Sequence, residues 1–186
     1  MSLAAVVLAA GGGSRFAGQD HKLLSPFRGR PLAAWAVDAA AEAGLDETVV
    51  VQGAVDLSSV VPDGVTLLEN HAWAEGQATS LRTGVDWARH QGHAAVVIGL
   101  GDQPLVPAEA WRAVARAPRG PIVAASFGGR RRPPVRLDAA VWDLLPAGGD
   151  EGARALMAGR PELVVEVACD GEPIDVDTVE DLLRWS

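Results

Sequence analysis

Gly11-Gly12-Gly13-Ser14-Arg15 directly follows the apolar run Ala4 to Ala9. Glycines after a buried strand let the backbone approach a phosphate and turn successive N–H groups toward it. Two dinucleotide and nucleotide fingerprints nevertheless fail here. A G-x-G-x-x-G loop counted from Gly11 needs glycine where Phe16 stands, and a Walker loop counted from Gly13 needs lysine where Gln19 stands. Arg15 and Lys22 place two cations on the same loop, within reach of one triphosphate, whose charge must be neutralised during phosphoryl chemistry. Asp102 lies just past a second apolar run, Ala94 to Leu100, where a carboxylate is costly to leave unpaired and where α/β proteins bind ligands. It precedes the helix behind Pro107 by several residues, too early for an N-cap, so a metal ligand is the functional reading. Asp175 and Asp177 alternate with apolar residues in Ile174-Asp175-Val176-Asp177-Thr178, so in an extended segment both face the same side. Paired carboxylates suit Mg²⁺, which takes one or two of them plus phosphate oxygens. Asp177 or Thr178 could instead cap the helix holding Glu180 and Leu182.

The elements that must hold these residues can be read from apolar patterning. Ala4 to Ala9 and Ala94 to Leu100 read as fully buried parallel strands, with further strands at Thr48 to Val51, Val65 to Leu68, Pro121 to Ser126 and Leu163 to Val167. Leu32, Trp35, Ala36, Ala39, Ala40 and Ala43 keep helical spacing between Pro31 and Gly44. Leu81, Val85 and Ala88 mark a helix from about Ala78 to His90. Trp111, Val114 and Ala115 mark the helix behind Pro107, and short helices are expected around Val141 to Leu145, at Gly152 to Met157 and around Leu182. Alternating strands and helices predict a single α/β domain, three-layer αβα, with a mostly parallel, Rossmann-like sheet and ligands beyond the carboxyl ends of its strands. Arg130-Arg131-Arg132 reads as a solvated loop, and core packing is the default for the six tryptophans.

Composition narrows the function classes. At 186 residues, with 48% hydrophobic and 22% charged, the chain is long and apolar enough for one core. A formal net charge of −8 argues against nucleic acid or anionic lipid as partner. One cysteine, Cys169, excludes an internal disulfide and a thiolate cluster, which fits a cytoplasmic location. The opening residues lack a basic region and run into glycines, a strand-then-turn pattern rather than a signal peptide, and no apolar run approaches a membrane span of about 20 residues. His21, His71, His90 and His93 show no metal spacing, and Ser14 sits in no G-x-S-x-G elbow.

Leu8-Ala9-Ala10-Gly11-Gly12-Gly13-Ser14-Arg15-Phe16, Lys22-Leu23-Leu24 and Gly29-Arg30-Pro31-Leu32 together resemble the signature of the molybdopterin nucleotidyltransferases, the MobA-like NTP transferases. The resemblance continues in family order through Glu75 to Leu81, Gly101-Asp102-Gln103-Pro104-Leu105-Val106, Gly149 to Arg154 and Ile174 to Leu182, so it covers nearly the whole chain, residues 1–186, as one such domain. It implies the nucleotide-diphospho-sugar transferase type of fold. It also implies that Leu8, Ala9, Ala10, Gly11, Gly12, Gly13, Ser14, Arg15 and Lys22 hold the nucleotide, with Ser80 near the nucleoside. Asp102 and Asp177, with Asp175 beside them, are the implied Mg²⁺ ligands, and Arg15, Lys22 and Asp102 the implied catalytic residues. Leu-Ala-Ala-Gly and Gly-Asp-Gln-Pro resemble the cytidylyl branch, so CTP is expected over GTP. The implied reaction moves CMP from CTP to the terminal phosphate of molybdenum cofactor, with a client molybdoenzyme or its chaperone as a further partner. Arg132-Pro133-Pro134 departs from the Gly-His-Pro pattern of that branch in the segment facing the acceptor, which leaves the acceptor open. Alternatives are a nucleotidyltransferase acting on a sugar phosphate or phospholactate, and a non-catalytic nucleotide or pterin carrier. A nicotinamide-dependent reductase is disfavoured by Phe16.

Overall fold

The structure is a computed structural model that describes residues 2–18, 20–118 and 120–186. In chain order the elements are β1 (Leu3–Ala9), the two-residue strands β2 (Pro26–Phe27) and β3 (Arg30–Pro31), α1 (Leu32–Glu42), β4 (Glu47–Gln52), β5 (Thr66–Glu69) and α2 (Gln77–His90). They continue with β6 (Ala95–Leu100), α3 (Ala108–Arg116), β7 (Ile122–Phe127), β8 (Arg130–Asp138), α4 (Ala153–Gly159), β9 (Val164–Ala168) and α5 (Val179–Trp185). The main sheet has seven strands in the order β5-β4-β1-β6-β8-β7-β9. All its pairings are parallel except those of β8, which runs antiparallel to both β6 and β7. The mostly parallel α/β architecture is thus the one the patterning predicts.

Successive residues of a strand point to opposite faces, and β1 is apolar on both because both faces are covered. Ala5, Val7 and Ala9 pack with Ala33, Val37 and Ala40 of α1 and with Trp111 and Val114 of α3. Ala4, Val6 and Leu8 pack with Leu81, Val85 and Ala88 of α2, and with Val141 and Leu156. Helix-to-sheet contact is close enough on both sides to require glycine. A Cβ on Gly84 would stand 2.6 Å from Val6 Cγ1, and one on Gly99 would stand 2.3 Å from the Trp111 ring. The expectation of a core role holds for Trp111, which is buried.

Arg130-Arg131-Arg132 corrects the sequence reading in part: the run is solvated but is not a loop, since it opens strand β8 and pairs there with β7 alone. Three charges and two prolines hide a strand, because proline cannot donate to a ladder. The sheet accommodates them with an irregularity. Ala124 pairs with Val135 and Ala125 with Arg132, so Pro133 and Pro134 fall in the skipped register where no ladder N–H is required. The same strand carries Arg136, whose buried guanidinium donates to the carbonyls of Ala115 (3.2 Å), Ala117 (2.7 Å) and Gly120 (3.1 Å) and to Asp138 Oδ1 (3.0 Å). A cation there satisfies carbonyls that the end of α3 leaves without helical partners. The segment around Val141 is a 3-10 turn, Ala139–Leu144, rather than an α-helix. Among the described residues no helix is long and apolar enough to cross a membrane.

Candidate active site

Parallel strands β1 and β6 lie side by side and end at the same edge of the sheet, so the segments that leave them meet. The Gly11 to Arg15 loop leaves β1, and Gly101-Asp102-Gln103 leaves β6. The Gly101 N–H donates to the Leu8 carbonyl at 2.9 Å, tying the two exits together. Segment 174–178 is drawn to the same edge, where the Val176 N–H donates to the Asp102 carbonyl at 3.0 Å. A cleft of about 620 Å³ results. Leu8, Ala9, Ala10, Gly11, Gly12, Gly13, Ser14, Arg15, Lys22, Ser80, Asp102, Asp175 and Asp177 all line it, so every site residue expected from the sequence is brought to one place.

The centre of the cleft is a knot of ion pairs. Lys22 Nζ lies 2.6 Å from Asp102 Oδ2 and 3.2 Å from Asp177 Oδ1, and Arg15 Nη2 lies 3.0 Å from Asp177 Oδ2. Burial alone would lower the Lys22 ammonium, but Asp102 and Asp177 outweigh it and hold the group above the ordinary lysine range. Asp175 is turned elsewhere. Its Oδ1 accepts from Gln103 Nε2 at 2.8 Å, and its Oδ2 stands 3.9 Å from Arg132 Nη1. Burial pushes its carboxyl up, against the bond from Gln103. Asp177 is free of a capping role, because Thr178 and Asp181 form a reciprocal capping box at the start of α5.

Asp102 and Asp177 fit a hard divalent cation. Both are oxygen donors, and both converge on one positive charge, the Lys22 ammonium. Among the described residues no three His, Cys, Asp or Glu side chains are grouped to hold a metal by themselves. A site of two carboxylates is the usual one for Mg²⁺, with phosphates and water supplying the remaining oxygens. Asp175, expected beside them as a third ligand, lines the same cleft but turns its carboxylate to Gln103 and Arg132 instead of to Lys22.

His21 braces the glycine loop from below. Its Nδ1 lies 3.3 Å from the Leu23 N–H and accepts from it, so Nε2 is the protonated nitrogen that donates to the Gly11 carbonyl at 3.0 Å. Burial, with Lys22 adding to it, lowers the imidazole's pKa and favours this neutral form. Ser80 is buried at the cleft wall, held by a 2.9 Å bond from Asn70 Nδ2.

Trp73, Gln77, Asp150 and Arg154 also line the cleft and carried no individual signal in the sequence. Trp73 corrects the core-packing default: it is 36% exposed and lies on the backbone of Gly12 and Gly53. A Cβ at those glycines would stand 2.9 Å and 2.6 Å from the Trp73 side chain. Asp150 lies in the loop before α4 and Arg154 in the first turn of α4, and that loop docks on the start of α2. There the Ala78 N–H donates to the Gly149 carbonyl at 2.9 Å, and Gly76 adopts a φ of +111°, with no room for a side chain against Gly149.

A mostly parallel sheet with a glycine-rich loop, two cations and paired carboxylates at its carboxyl edge has the architecture of the nucleotidyltransferases. The MobA-like NTP transferase domain matches residues 5–167, and the chain belongs to that family. Nicotine blue oxidoreductase of Paenarthrobacter nicotinovorans is 32% identical over 195 residues, covering 96% of this chain and 94% of its own. The purine catabolism protein PucB of Bacillus subtilis is 30% identical, covering 94% and 92%. The crystal structure of Rv0371c from Mycobacterium tuberculosis superposes with a TM-score of 0.84 at 28% identity, over 99% of this chain and 97% of that one. Rv0371c has also been solved in complex with manganese, with a TM-score of 0.78 at 29% identity, over 100% and 98%.

Proposed function

We propose that this protein transfers CMP from CTP to the terminal phosphate of molybdenum cofactor, releasing pyrophosphate, with Mg²⁺ held by Asp102 and Asp177. The observation that carries the reading is the meeting of the Gly11 to Arg15 loop, Lys22 and those two carboxylates in one cleft at the carboxyl edge of the sheet. The amides of the loop face the phosphates, and Arg15 and Lys22 leave their carboxylates to pair with phosphate oxygens. His21 keeps the loop in place through the Gly11 carbonyl. Mg²⁺, when bound, supplies neutralisation of charge on the nucleotide's phosphates. A phosphate oxygen of the acceptor attacks the α-phosphorus in line, and the bond from that phosphorus to the bridging oxygen breaks, with pyrophosphate carrying away the electron pair. The nucleophile's second pKa is about 6, so it is anionic near neutral pH and needs no general base. CTP rather than GTP is favoured by the resemblance of Leu8-Ala9-Ala10-Gly11 to the cytidylyl branch. The manganese complex of Rv0371c supports use of a divalent ion. The product would pass to a client molybdoenzyme or its chaperone, in the cytoplasm.

One observation favours a second reading: a relative aligned over almost its whole length bears an oxidoreductase name. Hydride transfer from a nicotinamide nucleotide would then occupy the cleft. Thermal unfolding with Mg²⁺ and CTP, GTP, ATP, UTP or NADPH, repeated with EDTA, separates the two. A ligand at 100 times its dissociation constant adds about 2.7 kcal/mol, an upward shift of roughly 5–11 °C for a domain of this size. The expected pattern is a shift largest for CTP and abolished by EDTA. A shift with NADPH alone would replace the transferase reading by the reductase one.

A further inference from the structure

We infer that Trp73 is a positioning residue for nucleotide binding, its indole pressing on Gly12 so that the glycine loop is held while its N–H groups stay open to the triphosphate. The inference rests on the reading that the Gly11 to Arg15 loop binds phosphates, and it assigns what keeps that loop in shape. A loop that offers its N–H groups to a ligand cannot use them to hold its own fold, and glycine loses more freedom on ordering than any other residue. Among the described residues no N–H of Gly12 to Arg15 donates to another protein group; the loop closes on itself through the Phe16 N–H, which donates to the Gly13 carbonyl at 2.8 Å. The remaining order must come from contacts made through carbonyls or carbon atoms. His21 makes one of them, at the Gly11 carbonyl.

Trp73 makes another, by bridging two glycines. Its Cβ, Cγ and Cδ1 lie against Gly53, and the far edge of the ring, Cζ3 and Cη2, lies against Gly12. The segment at Gly53 is fastened to the start of the loop, since the Ala54 N–H donates to the Ala10 carbonyl at 3.1 Å. Trp73 itself is fixed from behind, in the 3-10 turn Trp73–Glu75. Buried Asn70 accepts from the Ala72 N–H at 3.0 Å and donates to Thr79 Oγ1 and Ser80 Oγ, both at 2.9 Å. The Gly76 N–H donates to the Trp73 carbonyl at 3.2 Å. The indole is thus a fixed plate, and the loop rests on it.

The plate also accounts for glycine at position 12. Gly13 adopts a left-handed φ of +61°, whereas Gly12 does not, so its backbone suits alanine. The nearest atoms that a Cβ there would meet, at 2.9, 3.4 and 4.0 Å, all belong to the Trp73 ring. A methyl group at position 12 and the indole therefore compete for one space.

The test is titration calorimetry with Mg²⁺ and either CTP or inorganic tripolyphosphate, which has no base to stack. Trp73→Ala should weaken both by about tenfold or more and by the same factor, a factor of ten being about 1.4 kcal/mol. Trp73→Phe keeps a ring on Gly53 but lacks the far edge that meets Gly12, and it should weaken both in the same direction. Gly12→Ala should weaken CTP by about tenfold in the wild type and by much less in either Trp73 variant, because the space is then open. Running the cycle with both Trp73 variants answers the question even where the alanine variant fails to fold. An equal effect of Gly12→Ala in all backgrounds would overturn the inference, and so would loss of CTP affinity with tripolyphosphate affinity intact, which would put Trp73 on the base. Both results would leave the transferase reading standing. Absence of binding of CTP and tripolyphosphate by the unaltered protein would overturn both.

Discussion

Replacing Asp102 by asparagine is expected to lower turnover by about 10²- to 10³-fold, or roughly 2.7–4 kcal/mol of transition-state stabilisation, the range lost when one preorganised electrostatic contact is removed. The change is nearly isosteric. Backbone contacts hold the segment in place: the Asp102 carbonyl accepts from Val176, and the Gly101 N–H donates to Leu8. Lys22 keeps Asp177 as a partner, so the buried ammonium is not orphaned. The melting temperature should therefore stay within a few degrees of the wild type while pyrophosphate release collapses. Turnover like that of the wild type would remove Asp102 from the reacting centre.

Lys22→Ala should act in two directions. Loss of a charge-assisted contact of about 1.5–3 kcal/mol should weaken CTP binding by about 10- to 150-fold. Binding of metal in the absence of nucleotide should instead tighten. The ammonium now lies between Asp102 and Asp177, and removing it leaves two carboxylates whose best remaining partner is a cation from solution. Titration with Mn²⁺ monitored by electron paramagnetic resonance reads the second effect, and calorimetry with CTP reads the first. Unchanged CTP affinity would mean that Lys22 faces something other than the triphosphate. In the wild type, metal and nucleotide are expected to tighten each other's binding, because phosphates that draw Lys22 away would also uncover the carboxylates.

Much of this site is legible in the sequence because the strands that carry it are buried on both faces. Ala4 to Ala9 and Ala94 to Leu100 are unbroken apolar runs, and the residues just after each run must sit at the carboxyl edge, which places Gly11 to Arg15 and Asp102 there without knowledge of their contacts. The pairing of Lys22 with Asp102 and Asp177 is of another kind. It spans 80 and 155 residues, and nothing local announces that the ammonium occupies the gap between the two carboxylates. Strand β8 is hidden because its signal is a charge run and two prolines, features that mark loops unless a neighbouring strand absorbs the irregularity. Trp73 is hidden for a complementary reason. Its place is dictated by Gly12 and Gly53, which lie far from it in the chain and offer a flat backbone surface only once folded.

Nucleotidyl transfer is read most directly from pyrophosphate release from CTP with Mg²⁺ and molybdenum cofactor as acceptor. The expected result is one pyrophosphate for each cytidylylated acceptor formed, no release when either acceptor or metal is withheld, and loss of release in Asp102→Asn. Binding of CTP and metal without any pyrophosphate or cytidylylated product would contradict it and leave the cleft as a binding site alone.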